Sequence, residues 1–125
     1  MSKFTLSKNE RLKSRKSIDR LFEEGKFIGR YPIKMAYIIH ELPEGQKPSL
    51  FSVSVPKKNF KRAVDRNKIK RLFREAYRLN CLNLKKDLLA SNQQLMLMFV
   101  YQGKEMPSLS DIEKSVIKII ESLKI

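Results

Sequence analysis

Apolar residues recur along this chain with two different periods, and the switches between them mark out its elements. In SRKSIDRLFEEG, Ile18, Leu21 and Phe22 fall at i, i+3 and i+4, and Gly25 follows as a stop, so a short helix is predicted. YPIKMAYIIH then alternates. Ile33, Met35, Tyr37 and Ile39 point one way and Lys34, Ala36, Ile38 and His40 the other, the period of a strand. Pro43, Gly45 and Pro48 make a turn. From Leu50 to Val55 the alternation resumes, with Phe51, Val53 and Val55 opposite Ser52 and Ser54. Two alternating strands with a short connection predict an antiparallel pair.

Pro56 ends the second strand, and a basic loop leads into a helix from about residue 63 to 80. Ile69, Leu72, Phe73, Ala76 and Tyr77 gather within about a third of its circumference as a core-facing stripe. Residues 81–94 read as a short extra turn and a polar loop. Leu95 to Tyr101 is a continuous apolar run, the texture of a strand buried on both faces. Ser110-Asp111-Ile112-Glu113 has capping-box spacing, and Ile112, Val116, Ile119, Ile120 and Leu123 form the stripe of a last helix. The first dozen residues read as a flexible basic arm. Helix, two or three strands, helix, strand, helix predicts a single α+β domain over residues 1–125, a sandwich of helices against one sheet.

Charge sharpens this picture. The chain of 125 residues carries 27 Lys or Arg against 13 acids, a net +14, and +8 of that excess sits in residues 57–78. On the predicted helix, Asn67, Lys70, Arg71, Arg74 and Arg78 group opposite the apolar stripe, with Arg66 at its edge and Lys68 to the other side. Lys57, Lys58, Lys61 and Arg62 carry the charge back into the preceding loop. A solvated helix face ordinarily mixes signs for i, i+4 pairing. A face of one sign is matched to a polyanion that releases counterions on contact. No apolar run is long enough to span a bilayer, the N-terminus lacks the apolar stretch of a signal peptide, and Cys81 is alone. A cytoplasmic, nucleic-acid-binding protein with no membrane partner is expected.

Catalytic chemistry is hard to place. His40 is the sole histidine, on a predicted strand beside Glu41, where a structural role is expected. The acids are scattered and Cys81 has no histidine near in sequence, so neither a protein acid–base pair nor a protein metal site is expected.

The run Asp65-Arg66-Asn67-Lys68-Ile69-Lys70-Arg71-Leu72-Phe73-Arg74-Glu75-Ala76-Tyr77-Arg78, after Phe51-Ser52-Val53-Ser54-Val55-Pro56-Lys57-Lys58 and Ala63-Val64, resembles the bacterial ribonuclease P protein subunit. Arg66-Asn67-Lys68 is similar to that family's RNR-type motif with Lys for the second Arg, and Arg11-Leu12 and Ile18-x-x-x-Phe22 extend the likeness. The resemblance implies an α-β-β-β-α-β-α sandwich like domain 2 of ribosomal protein S5, with an extra strand around Phe27 and Ile28 and a left-handed crossover through the basic helix. It implies that the partners are the catalytic ribonuclease P RNA and precursor tRNA, whose 5′ leader is removed by RNA-bound Mg²⁺ without an organic cofactor. The basic set Lys57, Lys58, Lys61, Arg62, Arg66, Asn67, Lys68, Lys70, Arg71, Arg74 and Arg78 is then expected on the RNA subunit. Arg11, Ile18, Phe22 and Tyr37 are expected in a cleft for the single-stranded leader.

Two departures matter. Ile18 stands where the family has an aromatic, so only apolar contact remains there, and Tyr37 is the candidate replacement. Asn59-Phe60-Lys61-Arg62 lengthens a loop in which members often have glycine, and Phe60 either adds to the RNA contact or covers the core edge. A ribosomal or other structural RNA-binding protein shares the charge and fold type. A DNA-binding regulator is a third class, without convincing helix-turn-helix spacing here.

Overall fold

The computed structural model describes residues 10–123. Its elements are α1 (Arg15–Glu24), β1 (Lys26–Arg30), β2 (Ile33–Glu41), β3 (Ser49–Ser54), α2 (Ala63–Asn80), α3 (Leu82–Ala90), β4 (Gln93–Tyr101) and α4 (Leu109–Glu121). The strands form one sheet in the order β1-β2-β4-β3.

The strand with the most continuous apolar run takes the place where both faces and both edges are covered. In β4, Leu95, Leu97, Phe99 and Tyr101 enter the main core, while Met96 and Met98 enter a second cluster on the other face. β4 runs antiparallel to β2 and parallel to β3. The expected β2–β3 pair is therefore corrected: β4 lies between them, because its two apolar faces need cover that an edge position would not supply. β1, anticipated only through the family resemblance, pairs antiparallel with β2.

α2, α3 and α4 pack on the main-core face, where Phe99 meets Phe51, Phe73 and Tyr77 at ring-centroid distances of 5.9, 5.5 and 6.3 Å. Each such pair contributes about 0.5–1.5 kcal/mol beyond area burial. Asn80 ties α2 to α4, its amide nitrogen donating to Ala76 O at 2.8 Å and Glu113 Oε2 at 2.9 Å. α1 covers part of the opposite face through Ile18 and Leu21. It stops at Gly25, where a Cβ would run into the Leu21 carbonyl.

Three local expectations change. Residues 82–90 form α3 where a turn and loop were read, since Leu84 and Leu88, one turn apart, bury against the main core. A single i, i+4 pair without a side-chain cap is a weak sequence signal. α4 is capped two residues earlier than the spacing suggested: Ser108 Oγ accepts from Asp111 N at 3.1 Å. Of the expected basic arm, residues 1–9 lie outside the described residues, whereas 10–12 are packed. Leu12 N donates to Phe51 O at 2.8 Å, Leu12 is buried, and Glu10 Oε2 accepts from Lys85 Nζ at 2.5 Å. Arg11 bridges to Phe51, so this segment covers the β3 edge that would otherwise carry unpaired backbone groups.

Candidate nucleic-acid interface

The basic loop and α2 form one surface because Phe60 and Arg66 hold the loop from two sides. Phe60 is buried in the main core, its ring 6.0 Å from that of Tyr101. It therefore covers the core edge, which answers the question its sequence position left open. Arg66 Nη1 donates to the carbonyls of Phe60 and Lys61, both at 2.9 Å. With that loop pinned, Lys57, Lys58, Lys61 and Arg62 are all exposed, continuous with Asn67, Lys68 and Arg71 on α2. Lys104, from the loop after β4, joins Lys58 and Asn59 around a small surface hollow. Sequence reasoning missed Lys104, for it lies 46 residues from Lys58 and only the fold brings them together.

The charges on α2 are not equivalent. Arg78 is engaged by Glu75 through two contacts, one of them Nε to Oε2 at 3.0 Å, so much of its charge is already matched. Lys70, Arg66 and Arg74 are half-buried. Partial burial, then the charges of Arg11 and Arg71, hold the Arg74 pKa below the ordinary guanidinium value. That crowding of like charge is relieved when a polyanion docks. Arg71 is exposed and free of any described ion pair. Arg71→Ala is therefore expected to weaken binding of a structured RNA and to lower the slope of log affinity against log salt by about one. Titrations across a salt series check this, and an unchanged slope would remove Arg71 from the contact.

The expected cleft residues do not all come together. Ile18 is half-buried and packs on the second cluster with Leu21, Ala36 and Met98, so it serves chiefly as core. Phe22 stands beside it with 44% of its surface exposed. Tyr37 is corrected: it packs against the main core on the other face of the sheet, since successive strand residues alternate. Arg11 is exposed and bridges to Phe51 at the β3 edge, next to Leu12 of the second cluster. Phe27 of β1 lies beside Phe22 on the α1 face. Its ring lies 6.5 Å from that of Phe22, it is 45% exposed, and Lys34 Nζ sits 4.5 Å above it. The five-residue β1, interrupted by Gly29, is too short for its alternation to be read, so Phe27 could be placed only through its pairing with Ala36.

His40 is part of a structural network. Arg20 Nη1 donates to His40 Nδ1 at 3.4 Å, so the ring proton belongs on Nε2, which donates to Gln94 Oε1 at 2.6 Å. Buried Gln94 in turn donates to Gln46 Oε1 at 3.0 Å and Lys47 O at 2.9 Å, pinning the β2–β3 connection. Cys81 is buried, and burial pushes its thiol pKa up, the opposite of an activated nucleophile. Among the described residues no three His, Cys, Asp or Glu side chains are grouped to share a metal ion, and no helix is long and apolar enough to cross a membrane.

Residues 6–124 match the family model described as Ribonuclease P. A ribonuclease P protein component of Porphyromonas gingivalis is 40% identical over 116 residues, covering 92% of this chain and 83% of the relative. One from Dictyoglomus turgidum is 35% identical over 123 residues, covering 97% and 94%. Among solved structures, the RNase P protein from Thermotoga maritima aligns with a TM-score of 0.68 at 20% identity over 92% of this chain and 98% of that one. The Staphylococcus aureus protein aligns with a TM-score of 0.65 at 19% identity, over 90% and 93%. At those identities the structural likeness speaks for the fold alone.

Proposed function

The chain belongs to the ribonuclease P protein family, and from that premise we propose that it clamps the catalytic RNA with one face and the 5′ leader of precursor tRNA with the other. As the protein subunit of ribonuclease P, it takes part in tRNA processing. The observation that carries the attachment is the pinned, single-sign surface of residues 57–62 continued by Asn67, Lys68 and Arg71. Phosphate contacts of this kind bind RNA by charge and shape without reading sequence.

α1 and Phe22 lie on the opposite face of the sheet from α2. A protein attached to RNA through α2 therefore keeps its aromatic face free for a single strand. Exposed aromatic rings suit unpaired bases, whose faces they stack on. Family membership implies Mg²⁺, but the scattered carboxylates do not fit a multidentate site for it on the described part of the protein. We assign the metal and the hydrolytic chemistry to the RNA subunit, with the protein as the positioning element and the cytoplasm as their compartment.

The test is reconstitution with ribonuclease P RNA at low Mg²⁺, where the protein is expected to stimulate precursor-tRNA cleavage. Absence of stimulation would sink the reading. Phe22→Ala is expected to weaken precursor tRNA about tenfold while sparing mature tRNA. Equal losses for both would take Phe22 out of the leader cleft.

A further inference from the structure

On the premise, taken from the reading above, that the α1 face receives the leader, we propose that Phe27 of β1 is its second base-stacking platform and that Lys34 takes the adjoining phosphate. Register places both on that face. Phe27 pairs with Ala36, which pairs with Met98, and Gly29 pairs with Lys34, which pairs with Val100. Ala36, Met98 and Val100 all belong to the cluster under α1.

The shape is a trough with a low floor. Ala36 contributes only a methyl group, and beyond Gly29 a Cβ would meet nothing within 4 Å. Phe22 and Phe27 rise beside it at 39° to one another. Rings tilted that far apart cannot clasp one base between them as a sandwich; each offers its own face, which suits two successive bases of an extended strand. An edge strand gains nothing from leaving a large aromatic 45% exposed next to another at 44%, unless something covers them part of the time.

Lys34 identifies the chemistry of that cover. Its ammonium rests over the Phe27 ring in the free protein. As a mobile, strongly hydrated point charge, it can leave the ring for a phosphate when a base arrives. A platform for a purely apolar ligand has no use for a cation there. A base linked to a phosphate uses both groups.

The experiment uses the holoenzyme reconstituted with ribonuclease P RNA, mature tRNA, and precursor tRNA whose leader is intact or carries one abasic site at successive positions. Phe27→Leu keeps the apolar cover but removes the π face. It is expected to weaken intact precursor about tenfold without changing mature tRNA or the salt slope. One abasic position should weaken the unmodified protein to a similar degree and cost nothing further in Phe27→Leu, and Phe27→Trp should restore binding. Lys34→Ala should lower the salt slope by about one, for intact and abasic leaders alike. If Phe27→Leu binds intact precursor within twofold of the parent while Phe22→Ala still loses affinity, Phe27 only covers the sheet edge and the proposal is overturned. If the unmodified protein shows no preference for precursor over mature tRNA, the leader-cleft reading itself fails, and this inference with it.

Discussion

Arg66→Ala is expected to cost about a hundredfold in affinity for the RNA subunit, far more than Arg71→Ala, and to lower the salt slope by more than one. The reason is that Arg66 holds other contacts in place. Its Nη1 group donates to the Phe60 and Lys61 carbonyls, and hydrogen bonds from a charged donor are worth about 1.5–3 kcal/mol each. Without them the backbone carrying Lys57, Lys58 and Lys61 is held by Phe60, by two turn hydrogen bonds to the Pro56 carbonyl, from Asn59 N at 3.2 Å and Phe60 N at 3.4 Å, and by the join to α2, where the Arg62 carbonyl accepts from Asp65 N and Arg66 N, both at 3.2 Å. Binding must then order the loop, and the lysines no longer arrive at fixed positions. Arg66→Lys should fall between, since it keeps the charge but loses the planar fork. Hydrogen exchange gives a check without RNA: the Asn59 and Phe60 amides should exchange faster in Arg66→Ala. If that variant matches Arg71→Ala in affinity, salt slope and exchange, the loop-holding role is wrong.

The second large effect is on stability. Ser49 and Tyr77 are both buried, and their hydroxyls are hydrogen-bonded to each other. Tyr77→Phe leaves the Ser49 hydroxyl without that partner and should cost about 1–3 kcal/mol, whereas adding Ser49→Ala should recover most of it. Burial, chiefly, raises the Tyr77 pKa far above its ordinary value, with Cys81 and Glu10 adding to the rise and the Ser49 hydrogen bond opposing it. A raised acid keeps its proton in the folded state after the unfolded chain has lost it, so its contribution is complete below about pH 10 and declines as pH rises further. Cys81, raised mainly by burial, adds the same sense of dependence from about pH 8.5. The stability gap between parent and Tyr77→Phe should therefore narrow above about pH 10. Urea unfolding followed by circular dichroism along a pH series measures it, and a gap constant into strong alkali would contradict the assignment.

Much of this was legible in order along the chain. The α2 boundaries at residues 63 and 80 and the main-core positions Ile69, Phe73, Ala76 and Tyr77 match their helical spacing. The burial of β4 on both faces follows from its unbroken apolar run. Helical and strand periods are relations among residues at most four apart, which a sequence displays directly. α3 was missed for the same reason in reverse: Leu84 and Leu88 form too short a stripe to stand out from their neighbours.

The site divides along the same line. The exposed cations of the loop and of α2 were identifiable because charge sign and helical angle are local properties. Tyr37 and Phe27 were not. Each stands on a strand with side chains on both faces, and which face meets α1 is decided only when β2 takes its place between β1 and β4. The same holds for Lys104 beside Lys58 and for Arg11 beside Arg74, pairs brought together by the sheet.

By itself, then, the sequence determined the elements other than β1 and α3, their buried stripes, the single-sign surface and the family. Strand order, the assignment of Phe22 and Phe27 to one face, and the use of Arg66 as a strut were decided only in the tertiary structure. They depend on distant segments competing for cover around β4, and that competition leaves no period in the chain to read.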